Sequence, residues 1–162
     1  MNSSSQVQEI SINSNTDIEC NILCQSTGNL RLAVTWYFSA MSANAPWLRI
    51  LEMDRTHVVK YGDEFQTTRR KQKFHAEKVS QDLFQLHILN VEDGDQGKYH
   101  CAVEEWLWST NGTWHKLGEK MSGLTELKLR PTGKPCKYSL THLSVELPSP
   151  LGQLFYEVIR WR

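Results

Sequence analysis

The chain has 162 residues, of which 18 are basic and 18 are acidic, so its formal net charge is zero. A chain of this length can form one domain of ordinary size with a tail, but two complete domains of about 100 residues each would not fit. The balanced charge argues against electrostatic binding of nucleic acid or of an anionic membrane, and we expect no nucleic-acid partner.

The first predicted elements are two strands in which apolar and polar residues alternate. Met1 begins a polar run from Asn2 to Gln8, and we interpret residues 1–8 as a flexible N-terminal segment before a domain at residues 9–132. Within that domain apolar residues recur at every second position, as half-buried strands require. They are Ile18, Cys20 and Ile22 in the first strand, and Leu32, Val34, Trp36 and Phe38 in the second.

The middle of the chain contains shorter apolar segments. Residues 47–53 and 57–60 are two short candidate strands, and Phe74 opens another. In the strand that follows, one face is apolar and the other is polar. The apolar face consists of Phe84, Leu86 and Ile88, and the polar face of Gln85 and His87.

A dense group of turn-forming residues, 92–97, precedes the last predicted strands. The chain reverses there, before Tyr99 and Cys101 enter the core. A final strand at residues 125–129 stops before Pro131. More than twenty residues separate Cys101 from this final strand. Because that is long for a hairpin connection, we predict a functional loop between them.

One run of residues connects these elements into a fold. The run Asp95-x-Gly97-x-Tyr99-x-Cys101 gives a turn, a buried tyrosine and one end of a disulfide, while Cys20 and Trp36 lie upstream. A cysteine, a tryptophan, and a tyrosine two residues before a second cysteine are the hallmarks of an immunoglobulin-type β-sandwich. The two short extra strands indicate its variable type. We therefore predict an all-β, variable-type immunoglobulin sandwich of about nine strands with Greek-key connections.

The four cysteines allow more than one disulfide. Cys20 and Cys24 would share an inward face on one strand, so either could meet Cys101. Two isoleucines flank Cys20 on that face, whereas loop-forming residues follow Cys24, and we predict the pair Cys20 and Cys101. Cys24 is then unpaired, bridged to Cys136, or available to another chain. Cys136 lies in the tail at residues 133–162, where the strand pattern fails and we expect weak order.

A long-range disulfide implies an oxidising compartment. The sequence has no C-x-x-C pair that would indicate a zinc or redox centre. The sequons at Asn2 and Asn111 agree with export and are predicted glycosylation sites. Neither a signal peptide nor a run of about 20 apolar residues is visible. We expect a larger parent protein to present this domain on the extracellular side of the plasma membrane. We expect this chain to be a secreted product or a fragment.

No group of residues in the sequence is typical of a catalytic or metal site. Asp95 has no second carboxylate or nucleophile beside it, so we expect no enzyme activity, no cofactor and no small-molecule substrate. His75, His87 and His100 alternate with core residues and are predicted to face solvent on separate strands, which argues against a metal site. The basic residues at 69–73 are interpreted as a solvated loop and not as a phosphate site.

The residues after Cys101 carry a family resemblance. They read Ala102-Val103-Glu104-Glu105-Trp106-Leu107. Together with the variable-type pattern before it, this run resembles the immunoglobulin-superfamily subfamily named for a Glu-Trp-Ile motif after the second disulfide cysteine, with leucine replacing isoleucine. The resemblance covers roughly residues 5–132. It implies a type I membrane protein with several such domains in series.

The resemblance also implies roles for individual residues. Lys73 sits where such domains carry a basic residue that pairs with the aspartate of the turn, here Asp95, so we expect a structural ion pair. The Glu105-Trp106-Leu107 run and Tyr37 are candidate partner contacts, because Trp106 and Tyr37 are predicted to point outward from one sheet. The alternative is that the tryptophans after Cys101 pack together and brace the hairpin.

The function that the resemblance implies is recognition between proteins outside the cell. The expected partner is a protein ligand or co-receptor on a cell surface, or a second copy of the chain bound through the open sheet face. For the parent receptor we expect modulation, in the sense of inhibition, of leukocyte or T-cell activation. The alternative is a truncated soluble form that acts as a decoy or adhesion ligand without signalling.

Overall fold

The computed structural model describes residues 5–23 and 28–131, and within these ranges it has ten strands, one short α-helix and two 3-10 turns. The strands are β1 Gln6–Ile10, β2 Thr16–Asn21, β3 Leu30–Ala40, β4 Leu48–Met53, β5 Val59–Tyr61, β6 Phe74–Lys78, β7 Leu83–Ile88, β8 Gly97–Trp108, β9 Trp114–Met121 and β10 Thr125–Leu129. The helix α1 is Thr68–Lys73, and the 3-10 turns are Asp63–Phe65 and Asp93–Asp95.

The strands form two sheets. The larger has the order β1-β10-β8-β3-β4-β5, with β9 pairing with the distal half of β8, and the smaller has the order β2-β7-β6. The pair β1 and β10 is parallel and the other pairs are antiparallel. Two sheets with β4 and β5 added at one edge are the variable-type immunoglobulin sandwich that the sequence predicts.

The core lies between the two sheets and follows the period-two alternation of the sequence. Trp36 on β3 is fully buried and pairs in register with Cys101 on β8. Cys20 on β2 and Cys101 form the predicted disulfide, which joins the small sheet to the large one across a Cα–Cα distance of 6.1 Å. The other fully enclosed side chains of the core include Val34, Ile50, Leu51, Phe84, Leu86, Ile88, Val91 and Leu127.

The turn before β8 is held by buried polar contacts. Glu92 and Asp95 form a capping box around the 3-10 turn, in which the Glu92 backbone N–H donates to the Asp95 carboxylate at 2.8 Å. The Tyr99 hydroxyl donates to the Asp95 carbonyl oxygen at 2.6 Å. Burial raises the pKa of Tyr99 well above its ordinary value, so this hydroxyl keeps its proton. The turn is thereby tied to the strand that carries the disulfide.

Gly97, at the start of β8, is expected to tolerate no side chain. A Cβ there would lie 2.4 Å from the Ser39 carbonyl oxygen and 2.6 Å from the Phe38 ring. Because both residues belong to the neighbouring strand β3, neither can move without disturbing the sheet. We expect Gly97→Ala to lower the free energy of unfolding by about 2–3 kcal/mol, measured by urea denaturation.

Gly118→Ala in β9 is the matched control for that substitution, because a Cβ at Gly118 meets nothing within 4 Å. We expect a change below about 0.5 kcal/mol for it. Equal losses from the two substitutions would show that the effect does not come from the close approach of β3.

Three sequence-based expectations are corrected by the structure. Residues 6–8, assigned to a flexible segment, lie in β1 and pair with β10. Residues 69–73, assigned to a loop, lie in α1, where the Thr67 hydroxyl caps the helix by accepting a hydrogen bond from the Arg70 backbone N–H. The segment after Cys101 is a long β8–β9 ladder with a five-residue turn, not a long loop.

Several predictions fall on residues that the structure leaves undescribed. They concern glycosylation of Asn2, the pairing of Cys24 and Cys136, and the order of the tail at residues 133–162. Within the described ranges, no helix has the length and apolar character needed to cross a membrane.

Candidate protein-contact face

The outward surface of β3, β4, β8 and β9 carries two of the predicted contact residues, Tyr37 and Trp106, and we call it the outer face. Strands β3 and β8 pair along the whole length of β3. Their inward side chains enter the core, so the alternate positions point away from it. Tyr37 lies opposite His100 in this ladder, and Thr35 lies opposite Ala102. Two aligned rows of outward side chains result.

An aromatic cluster occupies one end of the outer face. Tyr37 stacks on the imidazole of His100 with ring centroids 5.0 Å apart, and Trp47, just before β4, meets the same imidazole edge-on at 4.4 Å. The prediction that His100 faces solvent is wrong, because these two rings bury it. Burial lowers the pKa of His100, so the imidazole is held neutral. Trp47 itself remains 44% exposed.

Tyr37 combines a stacked ring with a polar tip. Burial, and next the carboxylate of Glu119, raise the pKa of the Tyr37 hydroxyl above its ordinary value. The hydroxyl is therefore protonated at neutral pH and can donate a hydrogen bond. A rigid ring with a donor at its edge suits a contact surface, because little side-chain freedom is lost on binding.

A charged group lies beside this cluster. The Lys116 ammonium on β9 donates to Glu104 at 2.5 Å and to Glu119 at 2.8 Å. Burial disfavours the ionised Glu104, but hydrogen bonds from Lys116 and from Trp106 outweigh it and keep the Glu104 pKa below its ordinary value. These two carboxylates also raise the pKa of Lys116. Glu104 and Lys116 are therefore both charged at neutral pH.

The tryptophans after Cys101 have different surroundings in the structure. Trp108 and Trp114 pack against each other across the β8–β9 turn, with ring centroids 5.0 Å apart. Trp106 instead donates its indole N–H to Glu104 at 3.0 Å and lies beneath the Arg55 guanidinium, 4.6 Å from its ring. Trp106 is thus partly covered, whereas Trp108 is 46% exposed.

The Glu-Trp-Leu motif does not form one surface. Trp106 points outward, but the alternation of β8 turns Glu105 and Leu107 to the other side of the sheet, where both are partly buried. Glu105 lies 3.9 Å from the ammonium of Lys120 there. Of this motif the outer face therefore includes only Trp106, together with Tyr37.

Asn111 lies in the exposed turn between β8 and β9. Its side-chain oxygen accepts hydrogen bonds from the Thr113 backbone N–H at 3.2 Å and from the Thr113 hydroxyl at 2.6 Å. The asparagine and threonine of the sequon are thus held together at the surface. Glycosylation of Asn111 stays a prediction.

Two residues of this face were missed by the sequence reasoning. The sequence places Trp47 only in a candidate strand. A tryptophan that has no role in the predicted core and lies directly before a strand is the signal that could have marked it as a contact residue. Arg55 lies in the β4–β5 turn, and nothing in the sequence connects it with Trp106, because their contact depends on the β3 and β4 pairings.

The predicted ion pair lies away from this face, at the turn before β8. The Lys73 ammonium contacts the Asp95 carboxylate and also donates to the Asn90 carbonyl oxygen at 3.0 Å and to Glu92 at 3.2 Å. Arg69 reaches Glu92 from outside at 2.8 Å. Within the described residues no group of histidine, cysteine and acidic side chains could hold a metal ion.

Comparison with known proteins agrees with this architecture. Residues 2–130 match the family model described as an IgSF3-like, immunoglobulin-like domain. The chain belongs to the IgSF3-like family of immunoglobulin-like domains. This IgSF3-like chain is 76% identical over 139 residues to immunoglobulin superfamily member 2 from Homo sapiens, covering 86% of the chain and 14% of that relative. The resemblance to the Glu-Trp-Ile subfamily is thereby confirmed.

A second relative of this IgSF3-like chain is the prostaglandin F2 receptor negative regulator from Homo sapiens, 30% identical over 108 residues, covering 65% of the chain and 11% of that relative. The chain thus spans a small part of both relatives, which are immunoglobulin-superfamily proteins of the cell surface and not enzymes. The solved structure of murine CRIg shares the fold, with a TM-score of 0.54 and 16% identity over 78% of this chain and 93% of that one.

Proposed function

We propose that this chain is the protein-recognition domain of a cell-surface immunoglobulin-superfamily receptor, and that it binds its partner through the outer face. The observation that carries the proposal is the aromatic cluster, in which an exposed Trp47 contacts the buried imidazole of His100 edge-on and Tyr37 stacks on the same imidazole. Exposed aromatic residues that are already rigid are the usual anchors of protein interfaces.

The charged group beside the cluster supports the same use. Glu104 and Glu119 both pair with Lys116, so each of the three charges on this part of the face has a partner of opposite sign. Such groups around an aromatic anchor favour specificity more than raw affinity. The outer face thus combines an apolar anchor with a polar surround, as protein-contact surfaces do.

The partner that fits this face is a protein ligand or co-receptor on a cell surface, and the receptor's effect is to restrain leukocyte activation. Support for restraint comes from the similarity to a relative that is named as a negative regulator of a receptor. A second copy of the chain, docked through the same face, is the alternative partner. Analytical ultracentrifugation of the purified chain distinguishes these two partners. If the chain binds a second copy of itself, its sedimentation coefficient rises with concentration in the absence of cells.

Trp47→Ala tests the outer face most directly. Removal of an interface anchor costs about 2 kcal/mol or more, so we expect cell binding to weaken by about thirtyfold. The measurement is a titration of fluorescently labelled chain on leukocytes by flow cytometry. Because Trp47 is half exposed, the substitution leaves the core intact, and the near-ultraviolet circular dichroism of the other tryptophans reports that the fold is kept.

Val79→Ala is the matched control, since Val79 is similarly exposed but lies beside the small sheet. We expect it to bind leukocytes like the unchanged chain. If Trp47→Ala and Lys116→Glu both bound with unchanged affinity, the outer face would not be the contact surface.

A further inference from the structure

The far end of the outer face, beside the β8–β9 turn, has a separate concave site of about 350 Å³ that opens to solvent. Gly28, Asn29, Arg31, Trp108 and Trp114 line it. The two indoles form a corner, with their ring planes inclined at 61°. Sites for small ligands are typically lined by apolar and aromatic side chains together with a few polar groups, as this one is.

Arg31 gives this site a positive charge. Among the described residues, its guanidinium donates to the carbonyl oxygens of Gly28, at 3.3 Å, and Leu30, at 3.1 Å. No carboxylate among the described residues lies within ion-pair distance of it, whereas Arg49 and Arg69 both pair with glutamates. The planar fork of a guanidinium matches a carboxylate in two parallel hydrogen bonds. Charge and shape together therefore favour an anionic, carboxylate-bearing ligand.

We propose that Arg31, Trp108 and Trp114 bind a carboxylated sugar at the end of a glycan. The C–H face of a pyranose ring stacks on an indole, and the sugar carboxylate accepts hydrogen bonds from the guanidinium of Arg31. Asn29 lines the same site, and an amide can both donate to and accept from sugar hydroxyls. The cavity volume lies at the low end of the range for small-molecule sites, which suits one or two sugar rings.

The backbone of the site favours a sugar over an acidic peptide. The Trp108 N–H already donates to the Asn29 carbonyl oxygen at 3.3 Å, and the Ser109 N–H to the Thr113 carbonyl oxygen at 2.9 Å. An extended peptide recognises a strand through unpaired backbone groups, and these two donors are already used. A ligand here must therefore be held through side chains, which stacking and a carboxylate contact provide.

The inference does not rest on the proposed protein partner, because it uses residues at the opposite end of the outer face from Trp47. A test uses the 162-residue chain, produced without N-linked sugars so that no glycan on Asn111 can occupy the site. The probes are 3′-sialyllactose, a glucuronate-containing hyaluronan tetrasaccharide, and lactose as the neutral control. Tryptophan indole N–H resonances report binding directly.

We expect one of the acidic sugars to shift the indole resonances of Trp108 and Trp114 in a saturable way at millimolar concentration, and lactose to leave them unchanged. Which acidic sugar binds identifies the source of the carboxylate. Arg31→Ala should weaken binding by about tenfold or more, and Arg31→Lys should fail to restore it, because lysine lacks the bidentate fork. Arg49→Ala, on the same face, is the matched control and should bind normally.

Three outcomes would overturn the inference. They are the absence of any shift with both acidic sugars, equal binding of lactose, and unchanged affinity of Arg31→Ala. Resonances of the core residues monitor folding in every variant. Trp47→Ala should leave sugar binding unchanged, so failure of the sugar site and failure of the protein-contact face are told apart.

Discussion

Removing the Cys20–Cys101 disulfide is expected to lower the free energy of unfolding by about 4.5 kcal/mol. The two cysteines are 81 residues apart in sequence, so the bond restricts most of the folded part of the chain in its unfolded state. Both sulfurs are buried between the sheets, and the Cys20→Ala, Cys101→Ala double variant adds a small cavity. Since small domains have about 5–15 kcal/mol of stability, this loss removes between about a third and nearly all of it.

The measurement is urea denaturation followed by tryptophan fluorescence, with Trp36 as the natural probe beside the bond. Reduced but unmutated chain is the control, because it keeps the volume of both sulfurs and loses only the crosslink. Its loss of stability should approach that of the double variant. Peptide mapping of unreduced chain must also find Cys20 linked to Cys101, and two free thiols at these positions would contradict the fold as described.

Asp95→Asn is expected to have the second largest effect, a loss of about 3 kcal/mol in the free energy of unfolding. Lys73 is 9% exposed and Asp95 is 3% exposed, so the substitution leaves a buried ammonium without its main counter-charge. Glu92 and the Asn90 carbonyl oxygen still accept from Lys73, which keeps the loss at the low end for a broken buried pair. The amide preserves the size of the side chain, so packing contributes little.

Arg69→Ala provides the comparison for this ion pair. The Arg69 side chain is 78% exposed where it meets Glu92, and an exposed pair contributes about 1 kcal/mol or less. Thermal or urea unfolding of both variants measures the difference. We expect Lys73→Met with Asp95→Leu to recover part of the stability that Asp95→Asn loses, because both buried charges are then removed. If Asp95→Asn lowered the free energy of unfolding no more than Arg69→Ala does, the Lys73–Asp95 pair would contribute no more than an exposed ion pair.

The two proposed recognition sites, the aromatic cluster at Trp47 and the site at Arg31, lie on one sheet. The aromatic cluster at Trp47 is rigid and faces outward near the β4 edge, while the tryptophan corner lies beside the β8–β9 turn. Strands β3 and β8 connect them, and their long pairing keeps the two ends in fixed register. A partner that carries both a protein surface and acidic glycans could therefore engage the two ends together.

The fold was predictable because its signals are local in sequence. The alternation through Ile18, Cys20 and Ile22 fixes which side chains face inward, and the Asp95-x-Gly97-x-Tyr99-x-Cys101 run specifies a turn, a corner and a bond. The boundary at residues 6–8 was not predictable in this way. Two of those three residues are glutamines, the third is an exposed valine, and their strand pairs in parallel with the distant β10.

The sequence by itself determined the sandwich, its disulfide and the outward direction of Tyr37 and Trp106, because a strand turns alternate side chains to opposite faces. Tertiary structure decided which outward residues are accessible. His100 is buried by Trp47 and Tyr37, and Trp106 is covered by Arg55. The accessibility of a side chain depends on which residues of the neighbouring strands cover it. The pairing of strands that are distant in sequence leaves no local pattern from which this could be predicted.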